Sequence, residues 1–218
     1  LSKHTLPDEE FLARKKFCNF VVSNDFSAER NAFFEALSAR QPVDSGGAYK
    51  NNIGGPVADK LAFQKQYKFS IAYENSRDPG YCTEKIVDAF AAGTVPIYWG
   101  DPRIKEEFNP DSFLCADDYP DNDALIAAIE AIDKDDALYL RYCRAPILTP
   151  GCRAQRYTDG RACFDFLDAI FSKGPEGAIR RNRSCWGGIY ENDLRYYRDL
   201  AEEARRPKGL LARLFSTH

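Results

Sequence analysis

The chain of 218 residues is 44% hydrophobic and 29% charged, which suits one substantial domain or one domain with an appendage. A formal net charge of −3 argues against a dedicated nucleic-acid binder, so an anionic ligand should be small and met by a few placed cations. The only histidines, His4 and His218, sit near the ends, which disfavours a histidine metal site or a Ser-His-Asp triad in the body.

Residues 1–15 are polar and charged and read as a linker or arm. KFCNFVV (16–22) has the short aromatic and β-branched character of a buried strand. A loop over 23–30 leads into a helix, RNAFFEALSA (30–39), with Phe33, Phe34 and Leu37 on one side. The glycine-rich stretch 43–56 matches neither phosphate-loop pattern and reads as a plain loop. A short helix (59–66) and a strand, YKFSIAYE (67–74), follow. After a polar loop comes the helix TEKIVDAFAAG (83–93), stopped by Gly93. Strands are expected at TVPIYWG (94–100) and SFLCA (112–116), and helices at 121–132, 136–144 and 161–172. Beyond residue 174 the chain becomes rich in Gly and Arg, with a surface helix at 192–206 and a basic, Leu/Phe-containing end.

Short strands alternating with helices of about ten residues argue for a parallel α/β sheet. In such sheets ligands bind beyond the carboxyl ends of the strands. The loops 23–29 and 74–83 both lie at that edge and could face one crevice.

Cys18, Cys82, Cys115, Cys143, Cys152, Cys163 and Cys185 include no CxxC pair. The expected state is reduced thiols in a cytosolic protein, with a Cys152–Cys163 bridge in an exported protein as the alternative. No apolar run approaches the roughly 20 residues of a membrane helix, and no signal-peptide pattern is present. The chain opens at Leu1 and contains no Met, so part of a longer protein lacking its N-terminal portion is expected.

Several residues could carry chemistry. Lys85, in the first turn of its helix, opposes the helix dipole unless an anion sits there; the helix N–H groups beside it suit a phosphate. A plain surface lysine is the competing reading. Glu84 is favourable at a helix start and could accept from sugar hydroxyls. Arg30 could reach a diphosphate with two parallel hydrogen bonds, or simply line a helix surface. Tyr73 and Tyr81 bracket the polar loop as stacking, phosphate-donating or packing residues. Asn75 is a turn former, and Trp99 reads as packing.

YKFSIAYENSRDPGYCTEKIVDAFAAGTVPIYWG (67–100) resembles the motif of the α-1,3/4-fucosyltransferases of glycosyltransferase family 10, which runs FEN-S, then Y-x-TEK, then G-x-(V/I)-P-(I/V). FCNFVVSNDFSAERNAFFEAL (17–37) looks like that family's other donor-site segment. Bacterial members look most similar, over roughly residues 16–175. The resemblance implies the GT-B architecture of two Rossmann-like halves, with this chain as the C-terminal, donor-binding half. It divides the chain into an arm (1–15), a Rossmann-like domain for GDP-fucose (16–175) and a basic helical appendage (176–218).

The implied reaction moves L-fucose from GDP-fucose to a sugar hydroxyl of an oligosaccharide acceptor, N-acetylglucosamine or glucose, with inversion, in α-1,3 linkage and with no required metal or other cofactor. By position, Arg30 and Lys85 would hold the diphosphate and stabilise departing GDP. Glu84 would bind ribose hydroxyls, and Tyr81 would contact the phosphates or fucose. Ser23 and Asn24 would line the nucleotide pocket, Glu74 and Asn75 the fucose and phosphate side. Thr83 of the TEK triplet completes the set. The family's base, a glutamate of the N-terminal half, has no matching position here, so the catalytic residue is unassigned. Two departures stand out: Tyr73 where Phe is usual, and RDPG (77–80), whose proline stiffens the loop.

Alternatives are a GDP-sugar-binding module without turnover, or a relative using another activated sugar. The expected location is cytoplasmic, peripheral at the inner membrane of a bacterium through the C-terminal tail, or the Golgi lumen in a eukaryote.

Overall fold

The computed structural model describes residues 6–14, 16–152, 160–174 and 186–205. Most of the Gly/Arg-rich loop, Cys185 and the basic end at 206–218 lie outside the described residues. The chain divides into two units, Leu1–Thr158 and Asp159–His218.

The first unit holds one sheet of β1 (Lys16–Phe20), β2 (Val43–Ser45), β3 (Tyr67–Tyr73), β4 (Val95–Trp99) and β5 (Leu114–Cys115). Every pairing is parallel and the order is β2-β1-β3-β4-β5. The α/β class expected from strand–helix alternation is what the chain adopts.

The strands read as continuous apolar runs because both faces are covered. Val43, Cys18, Phe69 and Val95 stand in register across four strands and form an apolar row. That face is buried with Phe33, Phe34 and Leu37 of α2 (Ala28–Ser38), Ile126 and Ile129 of α5 (Asn122–Lys134), and Tyr139 of α6 (Asp136–Arg144). On the other face Ala72 and Tyr98 pack with Ile86 and Phe90 of α4 (Glu84–Ala91). One residue further along β1 and β3, buried Asn19 donates to Ser70 Oγ at 2.6 Å and to the Phe69 carbonyl at 3.0 Å. Gln64, which ends α3 (Lys60–Gln64), is buried beside them.

Three local expectations differ. The supposed arm contains a helical turn, α1 (Asp8–Leu12), whose Phe11 is buried in the core. Arg14 then donates to the Tyr67 and Ala92 carbonyls, both at 2.9 Å, and ties this segment to the sheet. The glycine-rich loop begins with β2, too short at three residues to show a strand pattern. β5 is two residues long, not the five expected at 112–116. No disulfide joins the six cysteines among the described residues.

The second unit contains α7 (Arg161–Phe171) and α8 (Trp186–Arg205). The expectation had placed 161–172 inside the sheet domain, but α7 falls beyond the division at 158. Phe164, Phe166 and Phe171 of α7 and Leu194, Tyr196 and Tyr197 of α8 are exposed. Among the described residues no helix is long and apolar enough to cross a membrane.

Candidate functional site

The strand order creates one special crevice. From β1 the chain crosses through α2 to β2 on one side; from β3 it crosses through α4 to β4 on the other. The loops leaving β1 and β3 therefore part at the carboxyl edge, where ligands bind in sheets of this order. These are the loops singled out from sequence, and the residues at their helix ends form two clusters.

The first cluster centres on Arg30. Ser27 caps α2, its hydroxyl accepting from the Arg30 backbone N–H at 3.3 Å, which starts the helix in register with the loop. The Arg30 side chain turns back across the crevice. One terminal nitrogen donates to Oδ1 of Asn75, in the other loop. The second donates to the Asn24 carbonyl at 2.9 Å and to Asn24 Oδ1 at 3.0 Å. The residue is 1% exposed and its Nε has no hydrogen-bond partner among the described residues. All its partners are neutral. Burial pulls the guanidinium below its ordinary range, opposed by the negative influence of Tyr49, Glu74 and Tyr81. It remains a cation without a carboxylate in contact.

The second cluster centres on Glu74, which directly follows β3 and is 0% exposed. One carboxylate oxygen accepts from the Thr83 backbone N–H at 2.8 Å. The other accepts from the Thr83 hydroxyl at 2.7 Å and from Lys85 Nζ at 2.8 Å. Lys85 Nζ also donates to the Thr83 hydroxyl at 2.8 Å. Thr83 stands at the N-cap of α4 but makes no side-chain cap bond. The buried glutamate organises this helix start in its place. Gly100 makes room for it: a Cβ there would sit 2.5 Å from Glu74 Cγ and 2.8 Å from Glu74 Cβ.

The structure thus joins Asn24, Arg30 and Asn75, and separately Glu74, Thr83 and Lys85. Glu74 does not face the crevice as expected; its acceptors are occupied within the loop, so it supports Lys85 from beneath. Lys85 itself is 16% exposed, at the rim. Glu84 is 65% exposed, 4.0 Å from Lys85 Nζ. A backbone N–H at the head of α4, with Lys85 and Lys60 adding to it, holds the Glu84 carboxyl below its usual range. Ser23 is exposed in the first loop, and Tyr81 is half-buried in the second, its backbone N–H donating to the Asp78 carbonyl at 3.0 Å.

Sequence reasoning passed over the glycine-rich loop, which the structure also brings to this edge. Gly47 lies against the backbone of Val22, where a Cβ would be 1.9 Å from the carbonyl oxygen. Asn51 and Asn52 fix the loop by bonds to Gly47, Gly55, Val43 and Ser45. The Gly-Gly pair before Asn-Asn was the available signal for a loop fixed by backbone contacts. Among the described residues no group of three His, Cys, Asp or Glu side chains could hold a metal ion.

A site of two cationic helix starts facing one crevice suits a ligand with adjacent negative charges. The family model described as "Glycosyltransferase family 10 (fucosyltransferase) C-term" matches residues 11–145, starting earlier and ending earlier than the motif resemblance. The α-(1,3)-fucosyltransferase FucT of Helicobacter pylori is 41% identical over 133 residues, which are 61% of this chain and 28% of that protein. The human 4-galactosyl-N-acetylglucosaminide 3-alpha-L-fucosyltransferase FUT6 is 33% identical over 143 residues, 63% of this chain and 39% of that protein. A crystal structure of an α1,3-fucosyltransferase with GDP-fucose superposes with a TM-score of 0.61 at 40% identity, covering 62% of this chain and 40% of the other. The chain spans well under half the length of these curated relatives.

Proposed function

Because the chain belongs to glycosyltransferase family 10, the fucosyltransferases, we propose that it binds GDP-fucose and serves transfer of the fucosyl group to a sugar hydroxyl of a glycan. The matched family model describes a C-terminal part, so the share assigned to this chain is the donor side. The observation that carries this reading is that Arg30 and Lys85, from two different helix starts, bond the adjacent residues Asn75 and Glu74 of the loop leaving β3.

In the proposed reaction the acceptor oxygen forms a bond to the anomeric carbon of fucose as the bond to the β-phosphate oxygen breaks, with inversion. Negative charge grows on the leaving GDP. Arg30 is fixed before the ligand arrives, and with the N–H groups of α4 and the Lys85 ammonium it stabilises that charge electrostatically. No metal is required in this scheme. Glu84 accepts from ribose hydroxyls, Tyr81 approaches the phosphates or fucose, and Ser23 and Asn24 flank the nucleotide. The base that takes the acceptor proton is not assigned to a residue of this chain. An α-1,3 linkage to N-acetylglucosamine or glucose is the proposed outcome.

Calorimetry with GDP, UDP and ADP tests the donor assignment. GDP should bind best, and equal or absent binding of all three would sink it. Lys85→Ala should weaken GDP binding by roughly 1.5–3 kcal/mol, the scale of a hydrogen bond to a charged group. No change would return Lys85 to an ordinary rim lysine. A peripheral contact of the basic C-terminal tail with a bacterial inner membrane, from the cytoplasm, belongs to the same proposal and is supported by the mix of Lys/Arg with Leu and Phe at 207–218. Sedimentation with anionic vesicles would detect it.

A further inference from the structure

The loop leaving β1 holds an aromatic side chain out in water. Phe26 is 79% exposed, whereas every other large hydrophobic side chain described in the first unit is 39% exposed or less. The loop is not loose around it. The Phe26 N–H donates to Asn24 Oδ1 at 3.3 Å, and Asn24 also accepts from the Arg30 guanidinium. The Asp25 carbonyl accepts from Asn31 Nδ2 at 2.8 Å, and Ser27 caps α2. The residues on both sides of Phe26 are thus pinned to the first turn of α2. A single exposed phenylalanine signifies little by itself. This one is two residues from Asn24, which holds the guanidinium proposed to meet the donor's diphosphate.

The two faces of the sheet give the crevice two ends. α4 lies on the face of Ala72 and Tyr98, and Glu84 stands at its head. α2 lies on the opposite face with Phe33 and Phe34, and Phe26 immediately precedes its cap. Between those ends, Arg30 joins the two loops through Asn24 and Asn75. A diphosphate is itself a linker, with a nucleoside on one side and a sugar on the other. With the ribose on Glu84 and the diphosphate on Lys85 and Arg30, the sugar end is directed toward the head of α2.

L-Fucose is a 6-deoxy sugar, whose C5 carries a methyl where the parent hexose carries a hydroxymethyl. A methyl group packs well on an aromatic ring, while a hydroxyl held against that ring loses water and gains no partner. We propose that Phe26 is a specificity-determining contact for the donor sugar, packing on the methyl-bearing side of fucose and favouring a 6-deoxyhexose over its 6-hydroxy counterpart. This rests on the reading of the chain as a fucosyltransferase donor half and names the residue that reads the sugar.

The test is titration calorimetry of the chain with GDP-fucose, GDP-L-galactose and GDP. L-Galactose differs from L-fucose only by the hydroxyl on C6. The wild type should bind GDP-fucose more tightly than GDP-L-galactose. Phe26→Ala should weaken GDP-fucose about fourfold, the worth of one methyl-sized group taken from water. It should leave GDP unchanged within twofold and narrow the gap between the two GDP-sugars. Phe26→Leu, which restores an apolar side chain, should recover most of the loss. GDP-fucose affinity that Phe26→Ala leaves intact, or an equal loss for GDP, would overturn the proposal while the donor reading stands. A wild-type dimer that Phe26→Ala dissociates, seen by sedimentation, would assign the ring to contact with a second copy and also overturn it. If neither GDP nor GDP-fucose binds the wild type, the donor reading itself falls and the proposal with it.

Discussion

Arg30 and Lys85 occupy equivalent places, each in the first turn of a helix that follows a strand of the sheet, and they are held in opposite ways. Arg30 is almost wholly buried and is gripped by an amide, a carbonyl and a second amide oxygen, all neutral. Lys85 stands at the rim and is paired with a fully buried carboxylate. The first arrangement keeps a whole positive charge available to a ligand at the cost of burying it. The second spends most of the charge on the fold and leaves a cation that must be shared when a ligand arrives. One site thus contains a residue whose placement serves binding and another whose placement also holds the structure together.

Substitutions should separate the two. Lys85→Ala leaves Glu74 buried with only Thr83 beside it, and breaking such a pair should cost about 3 kcal/mol of stability, read from urea unfolding. Arg30→Met should do the reverse. The substitution removes the cost of burying a charge, and the Asn75 side chain it leaves behind is exposed to water, so unfolding should shift little. GDP affinity should fall by roughly 1.5–3 kcal/mol, measured by calorimetry. A strongly destabilised Arg30→Met protein would erase the contrast. Gly100→Ala probes the same division from beneath. Its Cβ would press on Glu74, so stability should drop by about 1–2 kcal/mol, and GDP affinity should fall only as far as Lys85 is displaced. A crystal structure of this variant with Glu74 unmoved would show that the glycine matters for some other reason.

The contrast also marks what could be read from the sequence. The strands were legible because a sheet covered on both faces gives mostly apolar runs, and the start of α4 was legible from the TEK triplet, whereas α2 starts at Ala28, two residues before the expected Arg30, because Ser27 caps it. Lys85 was singled out because a lysine at a helix start is electrostatically out of place. The role of Glu74 was not. Its burial depends on Gly100, a residue on the neighbouring strand's exit, and no local pattern encodes that packing. β2 escaped because three residues cannot show a period, and α1 because a single charged turn hides the two apolar residues, Phe11 and Leu12, that dock it. Tyr73 stood out in the sequence only as a change from the usual Phe; that its hydroxyl is buried with no partner among the described residues depends on the packing around it.

The smallest expected effect tests how the two helix starts are built. α2 is capped by its own Ser27, whose hydroxyl takes the Arg30 backbone N–H, whereas α4 borrows Glu74 from the end of β3. Ser27→Ala should therefore cost about 1 kcal/mol, the ordinary value of a lost cap, measured as a shift in the urea midpoint. Its effect on GDP should be slight, because the guanidinium is positioned by Asn24 and Asn75 and not by the cap. If Ser27→Ala weakened GDP as much as Arg30→Met does, the side chain's place would have to depend on where the helix begins. Both cations would then be set by the heads of their helices, and the difference between them would lie only in the charge that Glu74 supplies.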